Sequence, residues 1–115
     1  MNIEKRFRAL LPEARRVVIK IGTRVIAEKS GRPDMGQLQS LVAQVAQLHA
    51  KGYEVLLVSS GAIGAGVEAL GLTSRPTAVA DLQMCAAIGQ ARLMSYYQEF
   101  FSSEKIIIGQ VLLTH

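Results

Sequence analysis

The sequence predicts an α/β fold with parallel strands, and three observations carry that expectation. Residues 17–23 (Val-Val-Ile-Lys-Ile-Gly-Thr) and residues 55–58 (Val-Leu-Leu-Val) are apolar runs of strand length. Between them, Leu38, Leu41, Val42, Val45 and Leu48 recur at helical spacing. The joints are short, and a strand, helix, strand order with short joints is a right-handed crossover between parallel strands. The unbroken apolar run at 55–58 also fits a strand covered on both faces.

Each element follows in order. Residues 1–16 contain Pro12 and scattered charge, which predicts a tail or a short surface helix. The strand at 17–23 carries one lysine, Lys20, near its end. Residues 27–34 are polar, include Gly31 and Pro33, and form a loop that ends at Asp34, a suitable N-cap. The helix that follows keeps Gln37, Gln39, Gln44 and Gln47 off its apolar stripe, and Lys51 and Gly52 supply a basic last turn and a stop. After the second strand, Ser60 is a good N-cap for a helix running from about Ala62 to Leu70 and ending at Gly71. Residues 72–76 connect to a long helix from about Ala78 to Phe101, with Leu82, Cys85, Gly89, Leu93, Tyr96 and Phe100 along one face. Gly89 inside that helix costs roughly 1 kcal/mol relative to alanine, which predicts another element packed closely there. Residues 106–113 (Ile-Ile-Ile-Gly-Gln-Val-Leu-Leu) read as a third strand, followed at once by Thr114 and His115. That ending is expected of the front part of a longer doubly wound sheet.

Composition narrows the function classes. The 115 residues suffice for one domain with its own core but not for two. Half the residues are hydrophobic and 19% are charged, as in globular rather than disordered chains. No apolar run approaches the ~20 residues of a membrane helix. Lys5, Arg6 and Arg8 precede only Ala9, Leu10 and Leu11 before Pro12, too short a run for a signal peptide. The single cysteine, Cys85, excludes an internal disulfide and is compatible with a reducing compartment, so the expected location is cytoplasmic. Residues 1–32 hold nine of the thirteen Lys and Arg against three acids, whereas the rest carries four bases and six acids. No aromatic interleaving accompanies the basic end, so neither a nucleic-acid nor a membrane partner is expected.

The candidate chemistry lies at two strand ends. Lys20 in an apolar strand is either an edge lysine that snorkels to solvent or an ammonium held against a phosphoryl group. In the second case Gly22 and Thr23 offer backbone N–H groups to the same anion. Ser59-Ser60-Gly61 after the second strand is either an ordinary helix cap or the start of an anion site, with Gly61, Gly64 and Gly66 keeping the first turns free of bulk. The glycines match neither a P-loop nor a dinucleotide fingerprint, and the serine sits in no nucleophile elbow. His49, His115 and Cys85 have no metal-site spacing. Cys85, Tyr96, Tyr97, Phe100 and Phe101 read as packing residues; Glu68, Asp81 and Glu99 read as solvated helix charges.

Four blocks, in this order, resemble the glutamate 5-kinases of the amino acid kinase superfamily. They are residues 17–23, residues 55–66 (Val-Leu-Leu-Val-Ser-Ser-Gly-Ala-Ile-Gly-Ala-Gly), residues 82–90 (Leu-Gln-Met-Cys-Ala-Ala-Ile-Gly-Gln) and residues 109–114 (Gly-Gln-Val-Leu-Leu-Thr). Acetylglutamate, carbamate and uridylate kinases tend to be more glycine-rich in the second block, whereas the kinase half of bifunctional pyrroline-carboxylate synthases is similar. The resemblance implies a partial three-layer αβα sandwich over residues 17–115, preceded by residues 1–16 as an N-terminal tail or short helix. It implies ATP-dependent phosphorylation of the γ-carboxyl of L-glutamate, the first step of proline synthesis, with Mg2+ bridging the phosphates. Lys20 would contact the ATP phosphates and support the transferring group, and Gly22 and Thr23 would line that site. Ser60, with the backbone of Gly61 and Ala62, would bind glutamate. The family's remaining ligands would lie beyond residue 115, leaving this chain as an N-terminal portion or a non-catalytic assembly module. A homo-oligomer is the expected assembly.

Overall fold

The computed structural model describes residues 2–113. Thr114, which closes the last of the four blocks, and the terminal His115 lie outside the described residues. The basic first stretch forms helix α1 (Ile3–Leu10), capped by the Asn2 side chain accepting from the Glu4 N–H at 3.1 Å. It has no buried residue and runs into a 3-10 turn, Leu11–Glu13, with Pro12 inside that turn.

Strand β1 (Arg16–Ile21) ends two residues earlier than its apolar pattern suggests. Gly22 is already the N-cap of a single helical turn, α2 (Thr23–Ile26), which drives Ile26 into the core. The polar loop after it closes on itself through an isolated antiparallel bridge between Ala27 and Pro33, with the Asp34 N–H donating to Ile26 O at 2.8 Å. Asp34 then caps α3 (Met35–Ala50) by accepting from the Gln37 N–H at 3.1 Å. Leu38, Val42, Val45 and Ala46 form its buried stripe. Gly52 at φ 93 turns the chain into β2 (Glu54–Ser59).

Strands β1 and β2 pair in parallel, from Arg16 opposite Glu54 to Ile21 opposite Ser59. Among the described residues the sheet has these two strands. Ile19, Ile21, Val55 and Leu57 pack with side chains of α3 and of α5 (Val79–Ser103). The opposite side chains, Val18, Lys20, Leu56 and Val58, are exposed. The continuous apolar runs therefore do not mark strands covered on both faces here. Both strands bury alternate residues, because every packed helix sits on one side of the sheet.

Helix α4 (Ala62–Ala69) lies against α5 at backbone distance. A Cβ on Gly89 would fall 1.6 Å from Ala62 O, and one on Gly66 would fall 2.0 Å from Cys85 O. The expectation of close packing at Gly89 is thereby met: α4 is the element that approaches. Cys85, Leu93, Tyr97 and Phe101 form the buried face of α5. Glu68 is not the solvated charge its position suggests. It accepts from the Tyr96 hydroxyl, and Arg92 Nε donates to that same hydroxyl at 2.9 Å while lying 3.4 Å from Glu68. The network ties α4 to α5 a second time.

Residues 106–113 depart from the strand expectation. They form neither helix nor strand, although Ile106 and Ile108 pack against the core and Ile107 is fully exposed. The alternation of burial is confined to residues 106–108, and residues 109–113 are exposed. With no neighbouring ladder to receive its N–H and C=O groups, the segment is not a strand.

Candidate anion-binding site

The register places the ends of β1 and β2 at one edge of the sheet, Ile21 beside Ser59. One further bond locks the two chains together there, from the Ser60 N–H to Ile21 O at 2.8 Å. The Gly22–Thr23 turn and the Ser60–Gly61 turn thus leave the sheet side by side. This is the edge of a parallel sheet where ligands usually bind.

Ser60 does not cap the following helix. Gly61 does, at φ 112, without any side-chain cap. A side chain would be strained there, and its Cβ would meet Ile26 Cδ1 at 2.9 Å. Moving the cap to Gly61 releases Ser60, whose hydroxyl makes no hydrogen bond among the described residues. The first backbone bond of α4 runs from the Ala65 N–H to Gly61 O, so the N–H groups of Ala62, Ile63 and Gly64 have no partner within the helix.

These groups border a pocket of about 330 Å³. That volume lies at the small end for ligand sites, which run from about 300 to 1,000 Å³. Thr23, Ser60, Gly61 and Ala62 line it together. Lys20 and Gly22 do not: the Lys20 side chain is exposed and stands on the open face of the sheet, paired in register with Val58. No carboxylate lines the pocket, and its one charged lining residue is Arg75. Free N–H groups at a helix start together with a guanidinium suit an anion and repel a cation. The described residues bring together no group of three His, Cys, Asp or Glu able to hold a metal ion.

Arg75 and the Ser30–Gly31 wall carry no sequence signal of a site. Arg75 precedes Pro76 in the connection after α4, and only the fold turns that connection back over the pocket. The 27–34 loop is held beside it by Arg32 Nη2, which donates to Leu72 O at 3.2 Å. Ser59 also lines the pocket; its Oγ lies 2.7 Å from the hydroxyl of Tyr97, which does not, and donates to Ser60 O at 2.8 Å. Burial pushes the Tyr97 phenol above its ordinary value, and the bond to Ser59 partly opposes that rise. Burial also raises the Tyr96 phenol, with the Glu68 bond adding to it. Cys85 is fully buried and has no part in the pocket.

Residues 15–115 match the amino acid kinase family. The chain is 46% identical over 107 residues to a glutamate 5-kinase of Symbiobacterium thermophilum, covering 93% of this chain and 41% of that protein. It is 50% identical over 105 residues to one of a Geobacter species, covering 91% of this chain and 28% of the relative. A third, from Moorella thermoacetica, is 41% identical over 111 residues, with 96% and 29% covered. The chain thus spans between 28% and 41% of the length of these relatives. With a match over residues 15–115 and parallel strands joined by a helical crossover, the chain belongs to the amino acid kinase family.

Proposed function

We propose that this chain contributes the N-terminal part of a kinase that transfers the terminal phosphoryl group of ATP to the γ-carboxyl of L-glutamate, forming glutamyl 5-phosphate for proline synthesis. The pocket at the joined ends of β1 and β2 carries the reading. It is small, free of carboxylates and rimmed by unpartnered N–H groups, as a carboxylate-bearing amino acid requires. The names of the relatives supply the substrate.

In this reading the Ser60 hydroxyl and the N–H groups of Gly61 and Ala62 hold glutamate, while Gly22 and Thr23 face the phosphates from the neighbouring turn. Lys20 supplies positive charge to the transferring group. Phosphoryl transfer depends on positioning and on neutralising developing charge, and lysine and helix-start N–H groups provide both. Because Lys20 points from the open face, its ammonium must reach around the sheet edge to serve the pocket. Mg2+ would travel with the ATP phosphates, since the described residues assemble no ligand set for it. A cytoplasmic location is part of the proposal; no helix among the described residues is long and apolar enough to cross a membrane.

The test is γ-glutamyl phosphate formation, trapped as the hydroxamate, by this chain and by the longest product of its reading frame. Ser60→Ala should raise the KM for glutamate by about 10- to 100-fold, the loss of one hydrogen bond to a charged group. Lys20→Ala should lower kcat by about 10²–10³-fold. Full activity in both variants would remove the site assignment.

A further inference from the structure

We infer that Tyr97 is a positioning residue for the anion site, acting through Ser59 on the Ser60–Gly61 peptide; this rests on the reading that the peptide faces the substrate carboxylate. The argument is a count of protons. The Ser59 hydroxyl has one, and Ser60 O, 2.8 Å away, can only accept, so both contacts of Ser59 are hydrogen bonds at once only when that proton goes to Ser60 O. The 2.7 Å contact between Ser59 Oγ and Tyr97 Oη then has Tyr97 as its donor. The result is a one-way chain from the Tyr97 O–H through the Ser59 O–H to the Ser60 carbonyl.

The peptide after Ser60 is trans, so the Gly61 N–H points opposite to the carbonyl held by this chain. Holding Ser60 O toward Ser59 fixes the Gly61 N–H in the opposite direction, within the run Ser59, Ser60, Gly61 and Ala62 that lines the pocket. The Gly61 N–H donates to no acceptor among the described residues. A glycine turn at φ 112 rotates easily, and a flipped peptide would present a carbonyl oxygen to an anionic ligand. The two hydroxyls prevent that flip. Tyr97 itself is 4% exposed and does not line the pocket, so it acts only through Ser59.

The experiment is calorimetric titration of the protein with L-glutamate, together with the amide spectrum of Gly61 in labelled protein. Tyr97→Phe keeps the ring stacked against Phe101, 6.4 Å between centroids, and deletes only the donor. Tyr97→Phe and Ser59→Ala should each weaken glutamate binding by about three- to tenfold, as loss of one hydrogen bond implies, and move the Gly61 amide resonance. The double variant should be no worse than either single one, and Ser59→Thr, which keeps the hydroxyl, should restore binding. Loss of binding that follows the melting temperature instead of the hydroxyl would make Tyr97 a packing residue and overturn the inference. Unchanged binding in Tyr97→Phe alongside weakened binding in Ser60→Ala would overturn it too, leaving the pocket reading intact. Absence of glutamate binding in the unaltered protein would remove both.

Discussion

Leu56 and Leu57 are neighbours on β2, yet Leu57 packs into the core while Leu56 remains 47% exposed. The same division runs across β1, where Ile19 and Ile21 face the helices while Val18 is 66% exposed. Among the apolar residues, nothing in residue type separates the two faces. What separates them is that α3 and α5 both pack on one side. The covered face also bears the polar contact that reaches the site, Ser59 to Tyr97. The open face bears Lys20 and an exposed ion pair, Arg16 Nε to Glu54 at 2.8 Å. Apolar composition is thus a condition for burial, and the neighbouring element decides whether burial happens.

The strongest way to break the covered side is Gly89→Ala. The new methyl would meet the Ala62 carbonyl and the Gly66 N–H, backbone atoms that cannot rotate aside, and α4 would be driven off α5. The expected loss is at or above about 3 kcal/mol, the upper end for overpacking, read as a lower urea midpoint or as failure to fold. A paired substitution then measures the difference between the faces directly. Leu57→Ala should cost about 2 kcal/mol, the low end for leucine because the side chain is only partly buried. Leu56→Ala should change stability by no more than about 0.5 kcal/mol. Equal losses would show that the open face is covered in solution.

Titration sharpens the comparison next. The folded-state value of Tyr97 lies above the ordinary 10.0, so just above that pH the unfolded chain has lost a proton that the folded chain retains. The folded state then binds more protons, and stability falls as pH rises. Its contribution is complete below pH 10.0 and disappears as pH passes through the raised value. Tyr97→Phe should flatten the decline in urea midpoint above that pH, leaving the part that belongs to Tyr96. The smallest effect is expected from the open face. Arg16→Ala removes an ion pair whose side chains are 70% and 63% exposed, and should cost less than about 1 kcal/mol, falling toward zero in high salt.

Much of this architecture is legible in the residues. Asp34 caps α3, Gly52 and Gly71 stop helices at positive φ, and the apolar stripe of α3 is the face that is buried. Local rules suffice there because each signal acts within one or two turns. The site is legible only in part. The Ser-Ser-Gly turn after a strand reads either as a helix cap or as the start of an anion site, and the cap lies at Gly61 rather than Ser60, because the left-handed turn comes one residue later than the hydroxyl pattern suggests. Glu68 looks like a solvated charge until α5 brings Tyr96 and Arg92 against it. Arg75 has no local mark at all.

By itself, the sequence determined the order of β1, α3, β2, α4 and α5, the parallel crossover and the close approach of another element at Gly89, though not the single turn α2. Periodicity, capping and the loss of a side chain are local properties, and they act wherever the chain goes. Only the tertiary structure decided which face of each strand is buried and why residues 106–113 do not become a strand. It also decided that Tyr97, 38 positions from Ser59, stands behind the pocket. Each of these depends on which distant segment arrives as a partner, and a hydrogen-bond ladder or a buried hydroxyl has no stability without one.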